Sequence, residues 1–291
     1  MNKQISRLIL GLNNHGFFRW LPDKPLLKLV FRARMGKKLD LKAPKTFNEK
    51  LQWIKLYDRK PEYKIMVDKL RVRDYIKEKI GEEYLIPLLG TWEKAEDIDF
   101  EKLPDKFVLK CNHDSGSVII CKDKEKFDRQ KAIEKLKKHL KKGTFYHGRE
   151  WPYKGIKPCV IAEQYMVDED NPADLPDYKV MCFGGEPKFI ELHLGRFSEN
   201  HTQDFYDVDW NKTEIDQDGY KSEEVTEKPK QLPEILELSK KLSQGIRHLR
   251  VDWYIINQKV YFGELTFFDG SGFSPFVNEK DDLYLGSFIK I

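Results

Sequence analysis

A lysine closes an apolar run directly before a turn rich in glycine and serine. The stretch reads FVLKCNHDSGSVIIC over residues 107–121, and Lys110 ends its first apolar run. An ammonium group buried in a strand without a partner is costly. At the strand end it faces a loop whose backbone N–H groups can bind an anion such as phosphate. By itself, the stretch fits an ordinary hairpin with an exposed lysine at least as well.

Several familiar chemistries lack their motifs here. The loop is not G-x-x-x-x-G-K-[ST] and no helix pattern follows it directly, so it is neither a P-loop nor a Rossmann turn. No G-x-S-x-G or paired Cys/His signature indicates a nucleophile. The four cysteines form no C-x-x-C and have no histidine at metal-ligand spacing, which favours reduced core residues in a cytoplasmic protein over a zinc site.

Two carboxylates near the carboxy terminus indicate a cation site. The stretch RVDWYIINQKVYFGELTF predicts a hairpin with its turn near residues 257–259, which brings Asp252 across from Glu264. Both stand among apolar residues, where unpaired carboxylates would repel each other. Mg²⁺ resolves this cost, since it binds one or two carboxylates together with phosphate oxygens. The alternative is that one carboxylate simply points to solvent.

Two further charges stand beside these elements. Arg250 precedes Asp252 by two residues and therefore shares its strand face. A fixed cation there would stabilise negative charge that develops at the reacting centre. Glu163, near the end of CVIAEQYM, is unusual in a strand unless it accepts hydrogen bonds, for example from an adenine amino group or a ribose.

The composition describes an ordinary packed protein with balanced charge. The chain has 291 residues, 40% of them hydrophobic, and 52 basic against 48 acidic residues give a net charge of +4. Such a balance does not favour nucleic acid as a partner. No apolar run approaches the length of about 18 residues that spans a bilayer, so we expect a cytoplasmic protein. The amino end, MNKQISRLILGL, is expected to pack as a helix on the body, with a helix lying on a membrane as the alternative.

Helical patterns fill the chain up to about residue 80. The first long one, KPLLKLVFRARMG, stops at Gly36, and TFNEKLQWIKLYD begins with a capping box formed by Thr46 and Glu49. A third helix is predicted for KIMVDKLRVRDYIKEKIG, which ends at Gly81.

Strand patterns dominate the remainder. Strands are predicted for YLIPLLGTW, FVLKC, SVIIC, CVIAEQYM, YKVMCF and KFIEL, the last two joined by a turn at GGEP. Helices are predicted for DRQKAIEKLKKHLKKG and PEILELSKKLSQGI, while residues 201–233 are predicted to form a long surface excursion. This order indicates an α+β protein with two lobes.

Five motifs in order resemble the ATP-grasp superfamily, and most closely its TupA-like family, named for teichuronopeptide synthesis and often labelled glycosyltransferase. They are MVDKLRVRDYI, FVLKCNHDSGSVII, VIAEQYM, DYKVMCF and LRVDWYIINQKVYFGELTF. The resemblance covers about residues 45–272. It implies an ATP-grasp fold in which two α+β lobes grip ATP after a helical amino-terminal region. The expected boundaries are 1–80 for that region, 81–166 for the first lobe with its phosphate-binding loop, and 167–291 for the second lobe with its metal-binding hairpin.

The resemblance also implies a role for each matching position. ATP phosphates would contact Lys69 and Lys110, and the loop that closes over them contains Ser115, Gly116 and Ser117 within HDSGS. The adenine and ribose positions match Glu163, Met166 and Asp177. Lys179 resembles a basic residue that reaches the terminal phosphate. The magnesium carboxylates match Asp252 and Glu264, and Arg250 matches the arginine that steadies an oxyanion.

One position departs from the superfamily pattern. Asn often stands two residues after the second carboxylate, and this chain has Thr266 there. A hydroxyl can still bind magnesium, so Thr266 stays a predicted ligand. Asp269 offers a further carboxylate, although a role as a turn residue is the favoured interpretation.

The implied activity is ATP-dependent ligation of a carboxylate to an amine through an acylphosphate. The family association suggests a uronic acid of a cell-surface glycan or a sugar nucleotide as acceptor, an amino acid or amine as the second substrate, and peripheral contact with membrane-bound glycan assembly machinery. Arg196, with His193, would bind the acceptor carboxylate unless it is an ordinary surface arginine. The alternatives are a glycosyltransferase and a nucleotide-binding protein without turnover.

Overall fold

A computed structural model describes residues 1–169, 175–195 and 199–291. The chain begins with helices α1 (Lys3–Asn14), α2 (Asp23–Met35) and α3 (Phe47–Tyr57). Gly36 ends α2 in the left-handed conformation, with φ of 74°. Thr46 and Glu49 form the predicted capping box at the start of α3. Both ends therefore follow the local sequence signals.

The predicted third helix is interrupted. The structure has α4 (Tyr63–Met66) and α5 (Val72–Lys79) instead, with a non-helical turn between them. Asp68 Oδ1 accepts hydrogen bonds from the backbone N–H groups of Leu70 (3.0 Å) and Arg71 (3.3 Å). Such local bonds compete with the helix ladder. The break leaves Lys69 in the turn, with its backbone N–H bonded to the carbonyl of Asn112 at 2.9 Å.

The first sheet is antiparallel and, within the described residues, has the strand order β1-β4-β2-β3. Its strands are β1 (Leu88–Trp92), β2 (Phe107–Cys111), β3 (Ile119–Cys121) and β4 (Val160–Gln164). Two helices, α6 (Arg129–Leu140) and the short α7 (Phe145–Gly148), lie between β3 and β4 in sequence. Leu136 of α6 packs with Phe107 and Leu109 of β2 in a buried cluster.

The second sheet is also antiparallel, with the order β7-β6-β5-β8-β9 in the described chain. It comprises β5 (Asp177–Phe183), β6 (Glu186–Leu194), β7 (Thr202–Asp207), β8 (His248–Ile256) and β9 (Lys259–Thr266). The predicted hairpins at GGEP and NQK are both confirmed. Asn257 and Gln258 adopt φ of 49° and 63°, which suits a tight hairpin turn.

Strand β7 was missed by the sequence prediction, which placed a surface excursion over residues 201–233. Its six residues, TQDFYD, lack a clean alternation because Gln203, Asp204, Phe205 and Tyr206 are all buried. Because buried polar residues with distant partners interrupt the alternation of apolar and polar residues, such a strand cannot be recognised from that alternation. Lys212, for example, forms an ion pair with Asp204 at 2.9 Å.

The lobes meet beside the largest buried cluster. That cluster combines apolar residues of α3, α4 and α5 with those of the second sheet and of α8 (Leu232–Ser243). The last helix, α9 (Glu279–Phe288), packs against α3. An isolated bridge between Leu85 and Phe262 joins the entry to the first sheet with β9. The fold is thus α+β with two antiparallel sheets and amino-terminal helices, as the sequence indicated. None of the helices in the described ranges has the length and apolar character needed to cross a bilayer.

Candidate active site

A small cavity lies where the two sheets approach each other. From the first-sheet side it is lined by Lys110 and Glu163, and from the second sheet by Phe262 and Gly263 of β9. The turn after α4 and helix α5 contribute basic side chains to its wall, including Lys69. The cavity therefore contains residues that are far apart in sequence, and three of them were predicted to bind nucleotide.

Lys110 forms an ion pair across the first sheet. Its Nζ lies 2.5 Å from Oε2 of Glu163, whose side chain is only 9% exposed. The strands fix this pair because β2 and β4 are adjacent, with Lys110 opposite Ile161 and Val108 opposite Glu163. Arg73 of α5 places Nη1 at 3.5 Å from Oε1 of the same carboxylate. Glu163 thus balances two cations, and an anionic ligand would compete with it for them.

Lys69 connects the two lobes. Its Nζ lies 3.4 Å from Glu264 Oε2 on β9 and donates a hydrogen bond to the carbonyl of Asp114 at 3.0 Å. The backbone bond from Lys69 to Asn112 holds the turn against the end of β2. The interruption between α4 and α5 is therefore what directs this lysine to the cleft.

The predicted phosphate-binding loop has a fixed base and an exposed tip. Ser117 Oγ donates to Asp114 at 2.6 Å and accepts from the backbone N–H of Cys111 at 2.9 Å. Asp114 also contacts His139 of α6. At the tip, Ser115 and Gly116 are exposed, and Gly116 has φ of 86°. The serine hydroxyl at 117 is thus engaged within the loop, whereas the two residues at the tip are open to solvent.

The carboxy-terminal hairpin brings the predicted carboxylates together. Asp252 of β8 is directly opposite Glu264 of β9, and Arg250 is opposite Thr266. Arg250 forms a two-pronged contact with Asp252, at 2.8 Å from Nε and 2.9 Å from Nη2. Its Nη2 lies 3.6 Å from Glu264 Oε1. Thr266 Oγ1 donates to that same oxygen at 3.2 Å.

Two further buried charges surround this hairpin. Lys179 of β5 is 2% exposed, and its Nζ lies 3.7 Å from Asp252 Oδ2. Glu191 of β6 stands opposite Lys179 in the register. Its Oε1 accepts from His193 Nε2 at 2.6 Å and from Gln203 at 2.9 Å. Its Oε2 has no hydrogen-bond partner among the described residues and lies 3.9 Å from Arg250.

Burial and the neighbouring charges shift the pKa values of these two carboxylates in opposite directions. Burial opposes ionisation of Glu264, but Lys69, Arg250 and Lys179 outweigh it and lower the pKa of Glu264 to about 2. For Asp252, burial together with the charge of Glu264 wins, and its pKa is raised in spite of Arg250 and Lys179. Asymmetry of this kind between two neighbouring carboxylates is typical of functional sites.

Asp269 takes part in the same cluster through Arg250. Its Oδ1 forms a close ion pair with Arg250 Nη1. The segment Asp269–Gly272 that presents it runs through left-handed backbone at residues 270–272, with φ of 58° at Ser271. Lys55 of α3, itself fully buried, donates to the carbonyls of Ser271 (2.6 Å) and Gly148 (2.8 Å). These bonds over-determine a conformation that is otherwise strained.

The oxygen donors suit magnesium as the predicted ion. Asp252, Glu264 and Thr266 supply two carboxylates and a hydroxyl on adjacent strands, and hard oxygen donors are those that Mg²⁺ prefers. Among the described residues, no group of three or more His, Cys, Asp or Glu side chains is placed to hold a metal ion. The magnesium ligands Asp252, Glu264 and Thr266 therefore stay predictions.

Comparison with known families decides which fold this is. The model of the TupA-like ATP-grasp family matches residues 49–290, most of the chain. The chain belongs to the TupA-like ATP-grasp family. None of the curated proteins compared with it gives a significant match.

The solved structures that resemble this chain are distant from it in sequence. D-alanine–D-alanine ligase from Bacillus anthracis, complexed with ATP, is 18% identical, with a TM-score of 0.42 over 70% of this chain and 55% of that chain. The corresponding Helicobacter pylori ligase is 15% identical, with a TM-score of 0.49 over 84% and 69%. An L-amino acid ligase from Bacillus licheniformis is 12% identical, with a TM-score of 0.45 over 87% and 55%. The chain therefore spans little more than half of some of these ligases.

The other predicted site residues occupy separate places. Asp177 begins β5, is buried, and forms a side-chain hydrogen bond with Tyr254 of β8. Met166 lies partly buried two residues beyond β4. Arg196 lies outside the described residues. Its predicted companion, His193, is on β6 and bonds Glu191. For a TupA-like family member, Asp177 and Met166 thus stay predictions for adenine and ribose contact.

Sequence reasoning missed Arg73 and Glu191 and undervalued Asp269. Arg73 follows Lys69 by four residues, a spacing that places both side chains on one face of the predicted helix and was therefore a usable signal. Glu191 could have been found, because it lies on the predicted strand KFIEL, which forms a hairpin with the strand of Lys179. A buried lysine on one strand of a hairpin needs a carboxylate nearby. Asp269 was favoured as a turn residue, and the structure shows that it both begins a turn and pairs with Arg250.

Proposed function

We propose that the protein is an ATP-dependent ligase that joins a carboxylate to an amine through an acylphosphate. One observation carries the proposal: Lys69, Lys179 and Arg250 converge on the carboxylate pair of β8 and β9. Lys110 stands in the adjoining cavity. Cations beside paired carboxylates suit a magnesium-bound triphosphate.

Each basic side chain has a task in phosphoryl transfer. Lys69 and Lys110 bind phosphate oxygens, and Lys179 neutralises charge near the terminal phosphate. Asp252, Glu264 and Thr266 hold Mg²⁺, which when bound shields the phosphate oxygens and draws charge from the breaking bond. Catalysis by such a site consists of positioning and charge neutralisation, so no side-chain nucleophile is required.

The reaction has two balanced steps. First, a substrate carboxylate oxygen attacks the γ-phosphorus, an O–P bond forms, the bond to the β-phosphate breaks, and ADP leaves. Second, an amine nitrogen attacks the acyl carbon, a C–N bond forms, the C–O bond to phosphate breaks, and inorganic phosphate leaves as the amine loses a proton. Arg250 stabilises the oxyanion of the tetrahedral intermediate in the second step, which exists after the C–N bond forms and before the C–O bond breaks.

For the acceptor, we propose a uronic acid of a cell-surface glycan, free or as a sugar nucleotide, with an amino acid or amine as nucleophile. The support is the family association with teichuronopeptide synthesis, together with His193, which lies near the end of β6. Arg196 stays a predicted contact of the acceptor carboxylate and lies outside the described residues. We propose that the protein works in the cytoplasm, where four buried cysteines stay reduced thiols. Glycan assembly machinery at the membrane is its proposed neighbour, and nucleic acid is not a proposed partner.

One observation favours a second candidate, a nucleotide-binding protein without turnover. Both oxygens of Asp252 are engaged by Arg250, and Thr266 stands where the superfamily often has Asn. If this arrangement persists with nucleotide bound, metal binding would be weak. A glycosyltransferase that uses a sugar nucleotide is the remaining alternative. It is distinguished from the ligase by its products, since it transfers a sugar and forms no ADP.

The test measures ADP and phosphate from MgATP across uronic acids and nucleotide-linked uronic sugars, with and without amino acids. Release that requires both a carboxylate and an amine, together with an amide product, is the expected result. Transfer of sugar without ADP formation would establish the glycosyltransferase instead. If ATP binds and none of these acceptors provokes release, a glycan polymer that contains uronic acid is tested next. Failure with the polymer as well makes the protein without turnover the conclusion.

A further inference from the structure

Apolar side chains are concentrated on the surface of the first twenty residues. Among the described residues, five of the sixteen exposed large hydrophobic side chains lie there. Four of them, Ile5 and Leu8 on α1 and Phe17 and Trp20 in the following turn, are 50% to 74% exposed. We call these four residues the amino-terminal apolar surface. Their number in so short a segment exceeds the scattered exposure that is normal for single residues.

The fold holds this segment in place from its other side. Leu10 and Phe18 pack with the cluster formed by α2. Asn13 is buried and donates to the carbonyl of His147 at 3.0 Å. The apolar surface therefore persists although α1 is docked, because the docked face and the exposed face are different sides of one helix.

A buried arginine fixes the turn that carries the two aromatic residues. Arg149 is 3% exposed, and its Nη2 donates to the carbonyls of Phe18 (3.0 Å), Arg19 (3.2 Å) and Leu21 (2.9 Å). Three bonds from one guanidinium hold the backbone, so Trp20 projects outward from an anchored turn.

The charges of this segment have one sign. Residues 1–22 include Lys3, Arg7 and Arg19 and contain no aspartate or glutamate. The first carboxylate in the chain, Asp23, is paired with Arg59 at 2.9 Å and Arg149 at 3.7 Å. Arg19 is exposed and lies over the ring of Tyr146, 4.9 Å from its centre. Within residues 1–22, the exposed apolar side chains are thus accompanied by basic side chains and by no carboxylate.

We propose that the amino-terminal apolar surface docks onto an anionic lipid bilayer, with α1 lying in the plane of the interface. A helix with Lys and Arg on its polar face and Leu, Ile, Phe or Trp on its apolar face binds in this way. Trp side chains favour the level of the lipid headgroups. Basic residues near the surface add attraction to anionic lipids.

A lipid surface fits better than a protein partner. The amino-terminal apolar surface consists of four side chains on one helix and the turn after it, whereas stable protein interfaces bury about 1,200–2,000 Å² with about 20–30 residues on each side. An anionic bilayer needs no such area, and it favours a contact segment that has basic residues and no carboxylate. This inference does not rest on the ligase proposal, since docking requires neither ATP nor an acceptor.

Vesicle flotation of the full chain tests the proposal. The probes are vesicles of phosphatidylcholine alone and of equal parts phosphatidylcholine and phosphatidylglycerol. The test variant carries Leu8→Glu and Trp20→Glu. The matched control carries Val225→Glu and Leu283→Glu, which are exposed residues outside the segment and give the same change in charge. Circular dichroism and thermal unfolding establish that all proteins are folded.

We expect wild type and control to float with the anionic vesicles, and the test variant to lose about tenfold or more in partitioning. Lys3→Gln with Arg7→Gln should weaken binding, and salt near 1 M should do the same because the Debye length falls to about 3 Å. Equal binding by test and control variants would overturn the proposal. Absence of wild-type binding to either vesicle would also overturn it. A third contradicting result is a wild-type protein that binds no vesicle and forms dimers that the test variant does not form.

Discussion

Arg250 offers the sharpest test of how the candidate site is held together. It is 6% exposed, forms a bidentate ion pair with Asp252, and forms a second ion pair with Asp269. Changing Arg250 to Met keeps much of the side-chain volume and removes the charge. Asp252 and Asp269 are then left buried without their principal partner, while Glu191 loses the guanidinium that lies 3.9 Å from its Oε2.

The expected loss in unfolding free energy is about 3–5 kcal/mol, the cost of breaking a buried ion pair by removing one partner. Folded proteins have about 5–15 kcal/mol to lose, so the variant should fold with a reduced margin. Urea unfolding followed by circular dichroism measures the change. Adding Asp252→Asn to the variant should recover about 1–3 kcal/mol, because one orphaned carboxylate is removed.

The pH dependence of the unfolding free energy gives an independent test, because the direction of its change is also predicted. Burial already raises the pKa of Asp252 and of Asp269 in the wild-type protein. Without Arg250 both folded-state pKa values rise further above their unfolded values, so the folded variant binds more protons than the unfolded chain as pH falls. Its deficit relative to wild type should therefore shrink between pH 8 and about 5. A loss below about 1 kcal/mol, or a double variant less stable than the single one, would refute the reasoning.

The remaining predictions concern other positions in and around the cleft. Lys110→Ala should weaken ATP binding, measured by calorimetry, about tenfold or more. The control Lys106→Ala, which changes an exposed lysine, should keep the affinity within about twofold of wild type. Equal affinities of the two variants would show that Lys110 does not belong to the site. Glu264→Gln should reduce phosphate release far more than ATP affinity, and normal turnover would contradict a metal role. Cys111→Ser should keep turnover, because burial raises the pKa of this thiol to about 12, and complete loss of turnover would reveal a thiol function. Lys55→Met should cost about 1–3 kcal/mol in urea unfolding by leaving buried carbonyls without a donor, and an unchanged midpoint would contradict this.

Much of the framework was legible in local patterns. The capping box of Thr46 and Glu49, the stop at Gly36 and the hairpins at GGEP and NQK are local features, and each is where the sequence predicted it. The hairpin turn also fixed the facing of Asp252 and Glu264, because register follows from turn position and alternation. The family itself was recognisable from the order of five motifs.

Other features depended on partners distant in sequence. The break between α4 and α5 follows an otherwise helical pattern, and Asn112 helps to fix it through bonds to Asp68 and Lys69. Strand β7 has no clean alternation because its polar residues are satisfied by side chains beyond the strand. Periodicity reports burial on one face and carries no signal for such pairs.

The sequence by itself determined most of the elements, the strand pairing near tight turns and the family, since these depend on spacing along the chain. Only the tertiary structure decided that Glu163 balances Lys110 and Arg73, that Lys69 reaches β9, and that Asp269 joins Arg250. It also decided that α1 docks on one side while leaving an apolar side exposed. Charge pairing acts through space over a few ångströms, and the sequence records only which charges exist.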